Sequence, residues 1–392
     1  VAFRVAPGLC SKRDIKYFTL GGPLLEAEKI LITGATGKIA FPIARALAAA
    51  GNEVWGVARL KDPAAREKLV AAGVKPVALD VGAGDFSGLP EDFSYVLHAA
   101  VDTGAGDWNR CLETNAQRSG ELLYHCRAAK GFVFCSTGSV YAYQGRRPLT
   151  ESDPPGVPLR ANYSISKVAA EAVCTWVARH FQIPLTIIRI CSTYGPQGGA
   201  PADRLEAMLA GKPIRLHPDK PNNYNPIYED DYVELGIRAM EVAATPPVVV
   251  NWAGSETVSV EEYCTFMGQL IGVEPKFEYT ERAHTPLWPD VTRMHEVCGS
   301  WAGRKRLVAV RCVGRAVGVE RVVLGELGTG KREVWTNGDA VMLRVMVETS
   351  ADRLVWFGHG ECQLENRSAQ KGSRGTGQGE RGAAATRAPE RR

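Results

Sequence analysis

Residues 29–33, Lys-Ile-Leu-Ile-Thr, form a short β-branched run that ends at Gly34. Residues 38–50 then place Ile39, Ile43, Leu47 and Ala50 at helical spacing. A buried strand passing through a glycine turn straight into an amphipathic helix restricts the fold more than any other feature, because the pattern repeats down the chain. Gly51 and Asn52 end the first helix. A strand at 54–58, a helix at 64–72 and a strand at 74–79 follow. More strand-like runs lie at 95–99, 132–135, 185–190 and 248–252, separated for the most part by helical patterns at 109–129, 163–180 and 231–244. Alternation of this kind predicts an α/β fold, a doubly wound parallel sheet covered on both faces.

The alternation breaks at 195–228, which is richer in Pro, Gly and Asn, and again after a helix at 260–271. These two insertions are expected to meet as a small C-terminal substrate lobe, because ligands of open α/β sheets bind beyond the carboxyl ends of the strands. The expected organisation is an N-terminal extension over 1–28 and a sheet domain over 29–192. The lobe over 193–299 interleaves with the last strands, and an atypical segment covers 300–392. Short Val-rich runs at 319–324 and 341–347 lie within that segment. Residues 367–392, rich in Gly, Ala and Arg with almost no large apolar side chain, are expected to be disordered.

That tail also accounts for the charge. It carries seven basic against two acidic residues, so the formal +4 of the 392-residue chain leaves a nearly neutral body, and no nucleic-acid partner is expected. No run reaches the roughly 18 apolar residues of a membrane span. Arg4, Lys12, Arg13, Asp14 and Lys16 interrupt the apolar stretches at the start, so no secretory signal is expected there. The ten cysteines form no C-x-x-C pair and mostly fall in apolar patterns. They read as small hydrophobes in a reducing, cytoplasmic setting rather than as a metal site.

Thr33-Gly34-Ala35-Thr36-Gly37-Lys38-Ile39-Ala40 spans the first strand-to-helix junction. Gly34 allows a tight turn, and Gly37 lets backbone N–H groups approach a pyrophosphate at the positive end of the helix. A generic strand–helix turn is the plain alternative. Tyr163-Ser164-Ile165-Ser166-Lys167 opens a later helix, so a phenol and an ammonium stand one turn apart on the same face. A phenol with a pKa of ~10 is a poor base at neutral pH. An ammonium about 4 Å away stabilises the phenolate by roughly 4 kcal/mol at an effective dielectric of ~20, which brings it into the working range of an acid–base catalyst. Such a pair is common by chance; one lying about 130 residues after a glycine turn of this type is not. Between them Phe134-Cys135-Ser136-Thr137-Gly138-Ser139-Val140-Tyr141 closes a buried strand. A hydroxyl there can donate to a substrate oxygen as charge develops, or simply satisfy its own turn.

Together these landmarks resemble the extended short-chain dehydrogenase/reductase family, also called the NAD-dependent epimerase/dehydratase family, over residues 29–299. Asp80-Val81, Leu97-His98-Ala99-Ala100, Thr114-Asn115-Ala116, and Arg189 through Tyr194-Gly195-Pro196 carry the likeness further. The segment Pro226-Ile227-Tyr228-Glu229-Asp230-Asp231 is similar to the family's IYVDD landmark, and Asp290-Val291-Thr292-Arg293 to its DVSR one. The resemblance implies a Rossmann-type sheet, with Tyr163 as general acid/base, counted with the cofactor site as well, and Lys167 lowering its pKa and holding the nicotinamide ribose. Thr137 corresponds to the Ser/Thr that polarises the substrate oxygen. Gly34, Thr36, Gly37, Lys38 and Ile39 would contact the dinucleotide, Asp80 and Val81 would flank the adenine, and Ala99 and Ala100 would line the cofactor. Asn115 is similar to the family's helix asparagine, also counted with the cofactor site although closer to a structural part than a catalytic one. A homodimer pairing helices 109–129 and 163–180 is implied as well.

Departures from the family pattern refine these expectations. Ala58 stands where NAD-preferring members carry an Asp, and Arg59 follows; an arginine there suits a 2′-phosphate, so NADP is expected over NAD. Gly138-Ser139 replaces the Asp-Glu pair of sugar 4,6-dehydratases, so dehydration is not expected. Tyr224-Asn225-Pro226 and Thr285-Pro286-Leu287 stand near the places where nucleotide-sugar members carry clamping arginines, leaving Arg282 or His284 to substitute. Ser192 replaces the Asn usual after the sixth strand. Residues after Ser300 depart from the family's closing helix, through either an added segment or a lost reading frame. The expected activity is reversible hydride transfer between NAD(P) and the secondary alcohol or ketone of a small molecule, a sugar derivative among the candidates. A nucleotide-sugar 4-epimerase with tightly bound NAD is the alternative. Intact Tyr163 and Lys167 weigh against a third reading, a non-catalytic NADP-binding sensor.

Overall fold

A computed structural model describes residues 25–103, 107–156 and 161–299, together with three short strands farther along. The strand–helix repeat closes into one parallel sheet of β1 (Lys29–Thr33), β2 (Glu53–Ala58), β3 (Lys75–Ala78), β4 (Tyr95–His98), β5 (Gly131–Thr137), β6 (Leu185–Ile190) and β12 (Val248–Trp252). The spatial order is β12-β6-β5-β4-β1-β2-β3, and each neighbouring pair is parallel. The winding reverses between β1 and β4, which opens a crevice beyond their carboxyl ends.

The sheet is buried on both sides, and its side chains divide with period two. Ile30, Ile32, Val133 and Cys135 pack into one cluster with α1 (Ala40–Ala49), α2 (Pro63–Ala71), α7 (Glu229–Glu241) and α9 (Thr292–Cys298). Leu31, Phe132 and Phe134 point to the opposite cluster, under α4 (Arg118–His125) and α5 (Ala161–Phe181). A π-helical turn, Glu113–Gln117, joins α4 to α3 (Trp108–Leu112).

The lobe has a core of its own, built from Tyr194, Leu205, Met208, Ile214, Leu216, Val260, Tyr263, Cys264 and Met267. Its elements are β7 (Thr193–Gly195), β8 (Gly198–Gly199), α6 (Ala200–Leu209), β9 (Ile214–Leu216), β10 (Asn223–Tyr224) and β11 (Ile227–Tyr228), then β13 (Val258–Ser259), α8 (Val260–Ile271) and β14 (Phe277–Tyr279). β10 pairs with β13 and β9 with β14, so the two insertions are stitched together across the strand β12 that separates them in sequence. Farther along, β15 (Met346–Glu348), β16 (Asp352–Phe357) and β17 (Glu361–Asn366) pair antiparallel. The expected disorder over 367–392 lies outside the described residues, as do the run at 319–324 and most of the N-terminal extension. Among the described residues no helix is long and apolar enough to cross a membrane.

Ser192, just after β6, has φ 46°, and its carbonyl accepts from the Ile227 N–H at 3.1 Å. The left-handed region costs an L-residue roughly 1–2 kcal/mol, and Asn tolerates it better than Ser. Ser192→Asn is therefore expected to raise the urea midpoint, by the equivalent of about 0.5–1 kcal/mol; an unchanged or lower midpoint would mean that the strain is relieved elsewhere.

Candidate active site

Gly34 leaves β1 with φ +67°, and a Cβ on it would lie 2.8 Å from the Ala100 nitrogen and 2.9 Å from the Ala99 oxygen. Only glycine lets the turn lie this close to the end of β4. The Gly37 N–H donates to the Gly34 carbonyl at 2.8 Å, and α1 starts with no side-chain cap and no acidic residue in its first turn. Its orphan N–H groups and positive end suit an anionic ligand. Thr36 and Ile39 are half-buried beside the exposed Gly37 and Lys38. Tyr232 of α7 donates its hydroxyl to the Lys38 carbonyl at 2.9 Å, tying the loop down from behind. Asp80, exposed after β3, accepts from the Gly82 N–H at 3.1 Å, while Val81 beside it is buried. These features fit a dinucleotide.

Ala99 and Ala100 follow β4, and the Ala100 N–H donates to Thr33 Oγ1 at 3.2 Å. Behind them His98 is fully buried in a hydrogen-bond chain whose direction can be assigned. Ser119 Oγ gives its one proton to the Asn115 carbonyl at 2.6 Å, so it accepts from His98 Nε2 at 2.9 Å. Nδ1 is then the acceptor for Thr33 Oγ1 at 2.6 Å. Burial, and secondarily the Lys167 charge, pull the His98 pKa from 6.5 to about 3, so the ring stays neutral. A folded-state pKa below the unfolded one gives stability that is present above pH 6.5 and lost as pH falls toward 3. Between about pH 6 and 5 the expected loss approaches 1.4 kcal/mol per pH unit. Urea unfolding at pH 7, 6 and 5 checks this; His98→Gln should flatten the profile, and a parent profile already flat would mean that the ring charges in place.

Asn115 lies in the π-helical turn, 1 % exposed. Its Oδ1 accepts from the Asp102 N–H and its Nδ2 donates to the Asp102 carbonyl, both at 2.8 Å, and Nδ2 also donates to Ser166 Oγ at 2.9 Å. Ser166 in turn donates to the Tyr163 carbonyl at 2.7 Å. Asn115 thus fastens the first turn of α5 to the loop after β4, a bracing geometry.

Lys167, on α5, is 2 % exposed; its Nζ donates to the Cys135 carbonyl at 2.8 Å and lies 4.6 Å from the centre of the Phe134 ring. Burial pulls its pKa from 10.5 to about 8. One turn later Glu171 takes a two-bond pair from Arg189 of β6, at 3.1 and 2.8 Å, and accepts from the Ser136 hydroxyl. This brace fixes α5 to β5 and β6 directly behind Thr137. Thr137 Oγ1 lies 2.8 Å from Ser139 Oγ and accepts from the Ser139 N–H at 3.2 Å. Thr137 and Tyr163 line one cavity of about 800 Å³, whose far wall comes from the lobe through Arg204, Tyr224, Arg282 and His284. Cys191 also borders it, with burial pushing its thiol up to about 12, outside nucleophilic range.

Sequence reasoning missed Ser139 and Arg204 as cavity residues. The first was legible, two places after Thr137; the second sits on α6 with no local motif to mark it. Arg59, by contrast, is exposed at the end of β2, and among the described residues nothing orients it.

A dinucleotide loop, a Tyr-Lys turn and a Thr hydroxyl at the strand ends of a doubly wound sheet define an enzyme of the short-chain dehydrogenase/reductase type. The model of the NAD dependent epimerase/dehydratase family matches residues 30–253, and the chain belongs to that family. UDP-glucuronate 4-epimerase 3 of Arabidopsis thaliana is 24 % identical over 318 residues, covering 68 % of this chain and 73 % of the relative. The dTDP-4-dehydro-6-deoxy-D-allose reductase of a Streptomyces species is 26 % identical over 267 residues, covering 62 % and 81 %. Among solved structures, UDP-glucuronic acid 4-epimerase from Bacillus cereus in complex with NAD superposes with a TM-score of 0.62 at 22 % identity, covering 73 % of this chain and 96 % of that one. The expectation of NADP, drawn from Ala58 and Arg59, is overturned here: structural neighbours of this fold hold NAD. The physical reason is that Arg59 is a solvated surface cation, and an arginine that nothing orients does not make a 2′-phosphate site.

Proposed function

We propose that this chain is a nucleotide-sugar 4-epimerase that keeps NAD bound through its cycle. The observation that carries the reading is one shared cavity, lined on one side by Thr137 and Tyr163 and on the other by cationic and aromatic residues of the lobe. Gly34, Gly37 and the uncapped start of α1 would hold the pyrophosphate, with Thr36, Lys38 and Ile39 beside it. Asp80 and Val81 would flank the adenine, and Ala99 and Ala100 would line the dinucleotide. Lys167 would hold the nicotinamide ribose, and Asn115 would brace α5. When bound, NAD supplies a hydride acceptor that becomes the donor for the return.

Tyr163 takes the proton of the sugar hydroxyl, while the Thr137 hydroxyl donates to the same oxygen. The Lys167 charge lowers the cost of the phenolate. On the return Tyr163 gives the proton back, so one acid–base group serves both directions. Both faces of the oxidised carbon must reach the same hydride, and a cavity of about 800 Å³ leaves a sugar ring room to present them. The dTDP-sugar reductase relative favours a second reading, net reduction of a keto sugar by the same residues.

The test is to purify the full chain, identify the retained nucleotide by mass spectrometry, and incubate with UDP-glucose and UDP-glucuronate. Epimerisation predicts retained NAD and product formation with a flat 340 nm trace; a stoichiometric 340 nm change would favour the reductase reading. We further propose a homodimer through the outer face of α4 and α5, where Tyr124, Trp176 and Phe181 stay 43 %, 60 % and 41 % exposed. Sedimentation of Trp176→Glu as a monomer would support it; a monomeric parent would refute it.

A further inference from the structure

Arg204 enters the cavity wall from α6, half-buried, and its surroundings hold it still. Nη1 donates to the Tyr263 hydroxyl at 2.5 Å, and the guanidinium carbon lies 5.7 Å from the ring centres of both Tyr224 and Tyr263. Tyr263 is 3 % exposed within the lobe core, so the cradle is rigid. The neighbouring carboxylates Glu278, Glu281 and Glu261 are already engaged. Arg215 pairs with Glu278 at 3.4 Å and His217 with Glu281 at 3.0 Å. Glu261 of α8 is spent on the Asn222 N–H and side-chain amide, both at 3.0 Å. Among the described residues no carboxylate forms an ion pair with Arg204.

A guanidinium partly withdrawn from water with no counter-anion is costly, whereas its planar fork is suited to an oxyanion that arrives with a ligand. We infer that Arg204, seated between Tyr224 and Tyr263 on the same cavity as Thr137 and Tyr163, anchors an anionic oxygen group of the substrate, phosphoryl or carboxylate. This assignment rests on the substrate reading of the cavity and deepens it. It also gives Tyr224 a purpose: where a clamping arginine is expected near position 224, this chain has an aromatic ring on β10 that seats a cation arriving from α6. Tyr263 is a positioning residue, acting through Arg204.

The experiment uses the full-length protein with its dinucleotide bound, and compares the parent with Arg204→Met, Arg204→Lys and Tyr263→Phe. Calorimetric titration with UDP, UDP-glucose and UDP-glucuronate is the readout, with melting temperature and nucleotide content as controls for folding. Arg204→Met is expected to weaken binding on the order of tenfold to a hundredfold, the range for a hydrogen bond to a charged group. Arg204→Lys should recover part of the loss, and Tyr263→Phe should weaken binding severalfold. Equal losses for all three ligands identify the phosphoryl groups as the anion; a loss confined to UDP-glucuronate identifies the sugar carboxylate. A parent that binds while the folded Arg204→Met and Arg204→Lys variants bind equally well overturns the assignment alone. A parent that binds none of the three overturns the nucleotide-sugar reading and this assignment together.

Discussion

Tyr163→Phe is expected to lower turnover by about two to four orders of magnitude, the span attributed to a positioned acid–base group. Dinucleotide affinity and melting temperature should stay close to the parent values. The dissociation of these effects follows from where the contacts lie. In the proposed site the dinucleotide would lie on the turn at Gly34, the start of α1 and Lys167, and the geometry of these three does not depend on the phenolic oxygen. The ring is half-buried, so phenylalanine keeps its packing and removes only the hydroxyl. Thr137 remains as a donor to the substrate oxygen but has no means of taking the proton away. Steady-state rates at saturating substrate, with dinucleotide binding measured separately, decide the matter. Turnover within tenfold of the parent would remove Tyr163 from the acid–base role, and joint loss of rate and dinucleotide binding would mark it as a binding residue instead.

The sheet was readable because each of its strands is a local signal, a buried apolar run followed by glycine or a helix period. Helix ends were less so. Periodicity carried the helix at 109–129 past His125, since Ala128 and Ala129 continue the apolar stripe, but the chain leaves α4 there through a turn in which the Ala129 N–H donates to the Cys126 carbonyl. The π-helical turn at Asn115 has no local signature, because its partners Asp102 and Ser166 lie 13 and 51 positions away. The same limit applies to the site. The spacing of Tyr163 and Lys167 put both on one helical face, yet the ammonium's hydrogen bond goes to the Cys135 carbonyl of a neighbouring strand. Arg204 gains its meaning from Tyr263, 59 positions on. Arg59 shows the reverse error: a residue at the expected position, exposed and unheld, suggests a 2′-phosphate, whereas structural neighbours of this fold hold NAD.

Lys167→Met is expected to abolish turnover and to make the protein more stable at pH 7, not less. Burial takes the Lys167 pKa from 10.5 to about 8, so keeping the ammonium charged in the fold costs on the order of 3 kcal/mol. The hydrogen bond from Nζ to the Cys135 carbonyl, worth about 1.5–3 kcal/mol from a charged donor, works against that cost, so the expected margin is at most about 1.5 kcal/mol. Below pH 8 the lysine is protonated in both states and the full penalty persists. Between pH 8 and about 10 the unfolded chain binds more protons than the native one, so the parent gains stability as pH rises. Methionine fills a similar volume without charge and is blind to this change. Buried thiols such as Cys174, pushed up to about 12 even with the Lys167 charge pulling the other way, stay protonated in the fold through pH 9 in both proteins, and their titration in the unfolded chain cancels in the difference. Urea midpoints of the two proteins stripped of nucleotide, at pH 7 and pH 9, should therefore show a stability advantage for Lys167→Met that shrinks with rising pH, and the variant as purified should have lost its retained dinucleotide. A variant less stable than the parent at pH 7 would mean that the ammonium stabilises the empty fold, and that its burial is not a cost carried for catalysis.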